Sequence, residues 1–292
     1  MNEQIKFFGV FVLAGTVVGG LSFFVAPTPP VPQSAAIARF ETLPAAISAF
    51  DTIALSARAA FVQDGATGEI LFAHNADVQL PLASLTKVMA AVTALSLAPR
   101  YALISTDHEN EAPRTLTETL SYALTASSNG AIAAVAAAVN SFVSTASSEN
   151  QHPAAFISAM NTEARRRGLD SFVFLNETGL DETLTLTGGS GSARDIARLM
   201  LSAATEMPEI WDATTHEEGN TNKIVREIPL LRASKTGFTD LAGGNLSIVF
   251  DVGVGKPMTI TVLGSTEEGR FEDVQRLIAA TLRHLSRADT PL

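Results

Sequence analysis

The stretch Pro81-Leu82-Ala83-Ser84-Leu85-Thr86-Lys87-Val88-Met89 decides how the rest of the chain is read. Pro81 suits the approach to a helix start. Leu85, Val88, Met89, Val92 and Leu95 then recur at helical spacing, which predicts a core-facing stripe from Ser84 onward. Ser84 and Lys87 share another face. Three residues is close to one turn, so a hydroxyl at the positive end of the helix dipole comes within hydrogen-bonding reach of an amine. A serine hydroxyl attacks poorly unless a neighbouring base takes its proton, and a lysine desolvated among apolar groups can lose enough proton affinity to be that base. This is the pattern of an activated nucleophile. By itself S-x-x-K turns up about once by chance in a chain of this size, so a surface serine beside a solvated lysine is the competing reading.

Working outward, 292 residues with 46% hydrophobic and 17% charged side chains can bury a substantial core, as one large domain or two modest ones. The formal net charge of -10 excludes a basic nucleic-acid-binding face, so no nucleic-acid partner is expected. Arg165-Arg166-Arg167, the one basic cluster, closes a helical pattern before Gly168 and reads as a solvated helix end. With no cysteine in the chain, disulfides, thiolate metal sites and a cysteine nucleophile are excluded. His74, His108, His152, His216 and His284 form no close pair, so neither a metal site nor a cofactor is expected.

Residues 7–26 form an uncharged apolar run long enough to span a hydrocarbon core of roughly 30 Å. Its length, with Pro27 directly after Ala26, favours an uncleaved signal-anchor over a cleaved signal peptide, whose later site would be Ser34-Ala35-Ala36. Lys6 and the amino terminus place the N-terminal end in the cytoplasm and the remainder outside it, anchored in the cell membrane. Residues 27–44 begin with four prolines in seven positions, Pro27 to Gln33, and read as an extended spacer. Residues 45–292 are the folded part.

In that part, residues 59–63 and 69–73 are strand-like runs around Asp64-Gly65-Ala66-Thr67-Gly68, a predicted β-hairpin. Residues 116–139 are helical with a break at Ala126-Ser127-Ser128-Asn129-Gly130, where small polar residues favour a turn. Further helices are predicted at 156–167 and at 192–204, the second with Ser192 as N-cap and Asp195 in its first turn. The glycines of Gly188-Gly189-Ser190-Gly191 lack the lysine and strand of a phosphate loop and read as loop flexibility. Strands follow at 230–237, 246–252 and 257–263, with Gly-rich turns that indicate antiparallel pairing. A last helix at 271–285 is expected to turn Val274, Leu277, Ile278 and Leu282 inward. Strands at both ends with helices between them imply an α+β fold whose terminal strands share one sheet.

Two further motifs change the weight of Ser84 and Lys87. Ser127-x-Asn129 lies at the predicted helix-helix turn, and Lys235-Thr236-Gly237 lies on a strand leading into a turn at Thr239-Asp240. Taken in this order, the three resemble the S-x-x-K, S-D-N and K-T-G signatures of the penicillin-binding protein and serine β-lactamase group. More closely, residues 59–285 resemble the D-alanyl-D-alanine carboxypeptidases, the low-molecular-mass penicillin-binding proteins. Supporting segments are residues 64–69, 176–181, 192–195, Asn220-Thr221-Asn222 and 235–239. Departures are Ser128 and Gly130 around Asn129, the glycines at 188–191, and Asn245 where many relatives carry cysteine. The C-terminal β-rich domain and membrane helix common in the family are not expected after the last helix, and the N-terminal segment is expected to anchor the protein instead.

The resemblance implies an antiparallel sheet flanked by helices with an all-helical part, and a serine D,D-peptidase that trims peptidoglycan stem peptides and is inhibited covalently by β-lactam antibiotics. Ser84 is then the nucleophile and Lys87 its base. Asn129 positions Lys87 and the substrate amide, and Ser127 with Lys235 passes a proton to the leaving amine. The Ser84 and Phe238 N–H groups form the oxyanion hole. Thr236, Gly237, Phe238 and Arg270 contact substrate, with Thr236 and Arg270 on its terminal carboxylate; the competing reading of Arg270 is a solvated helix-start residue. A serine β-lactamase and a non-catalytic penicillin sensor are the alternatives. Carboxypeptidase, endopeptidase and transpeptidase share the acyl-enzyme and differ in the acceptor.

Overall fold

The computed structural model describes residues 48–105, 112–146 and 154–288. The apolar run 7–26 and the spacer that follows it lie outside them; among the described residues no helix is long and apolar enough to cross a membrane. In chain order the elements begin with the hairpin β1 (Ala59–Asp64) and β2 (Ile70–His74), then β3 (Leu80–Pro81), α1 (Thr86–Leu97), β4 (Leu103–Ile104) and β5 (Arg114–Thr115). The helices α2 (Leu116–Thr125), α3 (Asn129–Ala146) and α4 (Ala154–Arg166) follow, then β6 (Val173–Phe174), β7 (Gly189–Gly191) and α5 (Ala193–Glu206). Last come β8 (Leu231–Thr239), β9 (Gly243–Asp251), β10 (Pro257–Ser265) and α6 (Gly269–Ala288).

Five strands form the main sheet in the order β2-β1-β10-β9-β8. It is antiparallel throughout; β1 lies against β10 from Ala59↔Leu263 to Asp64↔Met258, so the first and last strands are neighbours as their positions in the chain imply. Side chains alternate across a strand, and β1 divides its residues between two cores accordingly. Ala59 and Phe61 join the core that holds α1 and α5, whereas Ala60 and Val62 join the core under α6. With both faces covered, the run Ala59-Ala60-Phe61-Val62 is fully buried.

Local chemistry sets the helix starts. Thr115 and Glu118 make a reciprocal capping box on α2, and Ser192 Oγ accepts the Asp195 N–H to open α5 as its sequence suggests. Three expectations need correction. On α6 the inner stripe runs Val274, Leu277, Ile278 and Thr281, a spacing of i, i+3, i+4 and i+7; Leu282 falls at i+8 on the rim and is 41% exposed. Arg167 is not a solvated helix end: it is half-buried and pairs with Glu163 on α4 and Glu206 on α5, joining the two helices.

The third correction concerns the glycines at 188–191. Gly189–Gly191 is β7, paired to β3 on one side and β6 on the other. Glycine is needed for close approach rather than for flexibility. A Cβ on Gly189 would lie 2.3 Å from Thr86 Oγ1, one on Gly191 2.3 Å from the Phe172 ring, and one on Gly188 2.2 Å from the Asn176 side chain. β7 thereby lies directly against the turn that carries Ser84.

Candidate active site

Ser84 sits in a 3-10 turn, Ala83–Leu85, that runs straight into α1. Ala83 holds a left-handed φ of +48°, a conformation costing a non-glycine residue on the order of 1 kcal/mol or more, and so sharpens the bend just before the hydroxyl. Two outside elements hold the turn. Gly237 of β8 passes so close that a Cβ would sit 2.8 Å from the Leu82 carbonyl and 3.2 Å from Ser84 N, which explains glycine as the third member of Lys235-Thr236-Gly237. Asn245 on β9 is wholly buried. Its amide donates to the carbonyls of Pro81 and Leu82 at 3.1 Å, while its Oδ1 accepts Gly264 N–H at 2.7 Å.

Lys87, one helical turn along, is fully buried. Its Nζ donates to Ser84 Oγ at 2.9 Å, Asn129 Oδ1 at 2.6 Å and the Thr178 carbonyl at 2.8 Å. Burial lowers its pKa to about 8, and the nearby charge of Glu177 opposes that shift. A displacement from 10.5 corresponds to on the order of 3 kcal/mol against the protonated form. When Lys87 loses its proton, the Ser84 contact reverses direction: the amine then accepts the hydroxyl proton with no movement of either group.

The second pair is built the same way from other elements. Ser127, in the turn between α2 and α3, also has a left-handed φ, +55°, and its Oγ accepts from Lys235 Nζ at 2.8 Å. Lys235 is buried on β8 and donates as well to the Thr236 carbonyl at 2.8 Å. Burial first, then the positive charges of Lys87 and Arg270, push its pKa well down. Thr236 Oγ1 lies 2.5 Å from Thr221 Oγ1. Arg270 is buried, which removes the solvated reading; it donates to the Gly237 carbonyl at 2.8 Å, its guanidinium lies over the Phe271 ring, and its Nε has no hydrogen-bond partner among the described residues. Phe238 is half-exposed and pairs with Gly244 on β9.

The structure therefore gathers Ser84, Lys87 and Asn129 in one hydrogen-bonded group and Ser127 and Lys235 in another, near enough for the charge of Lys87 to act on Lys235, with Thr236, Gly237 and Arg270 on the adjoining strand side. Among the described residues, the buried side chains of Lys87, Lys235 and Arg270 hydrogen-bond only to neutral oxygens. Such a site favours an anion. The Thr178 carbonyl, Glu177 and Thr221 lie in segments that the family likeness marked, 176–181 and 220–222, but sequence reading assigns them no role at the site. Asn176 fixes that carbonyl by accepting the N–H groups of Thr178 and Gly179. Gly179, with φ +78°, packs so tightly that a Cβ would strike the Ala83 carbonyl.

Against this geometry, the family model for D-alanyl-D-alanine carboxypeptidase matches residues 45–266. The chain belongs to that family. The match takes in every member of the two serine–lysine groups and stops short of Arg270. Among curated members, the D-alanyl-D-alanine endopeptidase of Escherichia coli is 26% identical over 256 residues, covering 76% of both chains. That of Pseudomonas aeruginosa is 28% identical over 222 residues, covering 65% of each. Among solved structures, penicillin-binding protein D2 from Listeria monocytogenes in its ampicillin-bound form is 27% identical with a TM-score of 0.64, over 78% of this chain and 98% of that one. The α+β architecture of the carboxypeptidase family, an antiparallel sheet with flanking helices, is the one described above. Membership makes the chain a serine peptidase, a hydrolase.

Proposed function

We propose that this protein cleaves the D-alanyl-D-alanine amide of peptidoglycan stem peptides through an acyl-enzyme on Ser84. The observation that carries the reading is Lys87: a buried amine with a pKa brought down to about 8, 2.9 Å from a hydroxyl in a strained turn. Ser84 Oγ attacks the carbonyl of the first D-alanine as Lys87 takes its proton. The backbone N–H groups of Ser84 and Phe238 stabilise the oxyanion. Ser127, held by Lys235, gives a proton to the departing amine, and Asn129 keeps Lys87 aimed while contacting the substrate amide. Thr236, Gly237 and Arg270 form the side that receives the terminal carboxylate. Water then hydrolyses the ester on Ser84.

β-Lactam antibiotics enter as acylating mimics of the same amide, as the ampicillin bound to the Listeria relative suggests. The endopeptidase names of both curated relatives favour a second substrate form, the cross-linked peptide. Catalytic residues 45–292 work outside the cytoplasm, held by residues 7–26 as a membrane anchor through the spacer 27–44. Protease added to intact spheroplasts should digest the catalytic part; complete protection would contradict this orientation.

The test of function is incubation with a peptide ending in D-Ala-D-Ala and, separately, with penicillin, followed by mass analysis of products and adducts. Release of D-alanine and an adduct on Ser84 are expected. Ser84→Ala should lose both activities by at least a thousandfold, since no other hydroxyl among the described residues meets Lys87. D-alanine release surviving in that variant would remove Ser84 from the mechanism, and a penicillin adduct with no D-alanine release would favour a sensor.

A further inference from the structure

One acidic side chain on the Thr178 loop takes no part in the two groups described above. Within four residues, the segment 178–181 touches three parts of the site. The Thr178 carbonyl accepts from Lys87 at 2.8 Å, and Gly179 lies so close to the Ala83 carbonyl that no Cβ fits between them. The Leu180 carbonyl is tied back by Asn176 Nδ2 at 3.0 Å. Asp181 then reaches the end of β8, 58 residues along the chain, where its Oδ1 accepts the Thr239 hydroxyl at 3.1 Å. Its Oδ2 accepts the Leu241 N–H at 3.2 Å. Thr239 Oγ1 in turn accepts the Ala242 N–H at 3.2 Å, which closes the turn from β8 to β9.

The residue before Thr239 is Phe238, whose N–H is the second donor of the proposed oxyanion hole. Upstream of it β8 is fixed, because a Cβ on Gly237 would lie 3.2 Å from Ser84 N. Downstream the strand ends in the turn at Thr239, and strand ends are where pairing opens most readily. Phe238 lies between these points and is half-exposed. The hydrogen bonds of Asp181 therefore fasten the free side of Phe238 to the same segment that touches the base and the nucleophile turn.

We infer that Asp181 is a positioning residue: it holds the end of β8 in place so that the Phe238 and Ser84 N–H groups converge on one oxyanion. The inference rests on the Ser84 reading and deepens it. Ser84 Oγ bonds to the substrate carbonyl carbon as its proton passes to Lys87, and the carbonyl π pair moves onto oxygen. Both donors must then lie about 2.7–3.1 Å from that oxygen. They come from different elements, a 3-10 turn and a strand, so their spacing depends on whatever ties those elements together. A strand end displaced by a fraction of an ångström weakens stabilisation of the transition state while leaving the contacts of the bound substrate in place. A carboxylate suits this task because hydrogen bonds to a charged acceptor are stronger than those to a neutral one.

The test measures Ser84 acylation by penicillin, and kcat and KM on a peptide ending in D-Ala-D-Ala, for the native chain, Asp181→Ala, Asp181→Asn, Thr239→Val and the Asp181→Ala/Thr239→Val double variant. Asp181→Ala should slow acylation about tenfold, less than the hundredfold or more of losing a donor outright. The peptide kcat should fall with it while KM changes less than twofold. Asp181→Asn keeps the volume and one acceptor oxygen, should lose about threefold, and carries the test if Asp181→Ala does not fold. The double variant should lose less than the product of the single losses, because both remove the same contact. The pH midpoint of acylation, near 8, should stay, because Asn176 still holds the Thr178 loop. A midpoint that moves with the rate would reveal general loosening of the loop and overturn the positioning role. So would multiplicative losses, or acylation within twofold of native in Asp181→Ala. In those cases the native Ser84 adduct still forms and the carboxypeptidase reading stands; absence of any adduct in the native chain defeats both.

Discussion

The candidate active site contains the same device twice, and its two copies differ in what surrounds them. Lys87 and Lys235 are both buried, and each donates to a serine hydroxyl, at 2.9 and 2.8 Å respectively. Lys87 rises from the first turn of α1 and meets three acceptors, with Glu177 close enough to oppose the effect of burial. Lys235 stands on β8 and meets two acceptors, with only the positive charges of Lys87 and Arg270 acting on it. One lysine is thus tuned from inside the protein to give up its proton near pH 8. The other lacks a counter-charge until an anion arrives, and a substrate carboxylate bound beside Thr236 would pull its pKa back up. Burial makes both lysines easy to deprotonate; on the proposed mechanism it is the substrate carboxylate, arriving beside Lys235, that separates a charged partner from the base at Lys87.

The largest break in this comparison is expected at Lys87. Lys87→Met keeps the volume and removes the proposed base, and acylation of Ser84 should fall by roughly a thousandfold, within the range for loss of a general base. A loss under tenfold, read from the rate of penicillin adduct formation, would show that some other group accepts the proton.

A smaller and differently shaped loss is expected at Lys235. Lys235→Ala should slow acylation by on the order of a hundredfold, as loss of one charge-stabilising donor does. Lys235→Arg should lose less, because it keeps the charge while its planar fork cannot reproduce the compact contact with Ser127. A substrate amidated at its terminal carboxylate should react poorly with the native protein and be less sensitive to Lys235→Ala. Equal sensitivity of amide and free acid would assign Lys235 to proton transfer at Ser127 alone.

Much of this was legible in the chain because short-range spacing and local chemistry carry it. The Ser84–Lys87 contact follows from one helical turn, and the turn before Asn129 from its small polar residues. The terminal-strand pairing followed from element order. What escaped depends on long-range packing that no local pattern encodes. Asn245 is 163 residues from the Leu82 carbonyl it holds, and the Thr178 carbonyl reaches Lys87 across 91 residues. The glycines at 188–191 looked like flexibility because their reason, the nearness of Thr86, Phe172 and Asn176, exists only after folding. Arg270 left two readings open because a helix start says nothing about what lies above it; here that is the Gly237 carbonyl.

The division of labour between the two lysines is tested most directly by the pH dependence of Ser84 acylation by penicillin in the native protein and in Lys235→Ala. Protonated Lys87 cannot accept a proton, so with a pKa of about 8 its neutral fraction, and with it the acylation rate, should rise about tenfold from pH 7 to pH 9. Lys235→Ala should be slower throughout but retain the ascending limb, because that limb belongs to Lys87. An ascending limb that disappears in Lys235→Ala, or a native profile that is flat from pH 7 to pH 9, would contradict the assignment of Lys87 as the base.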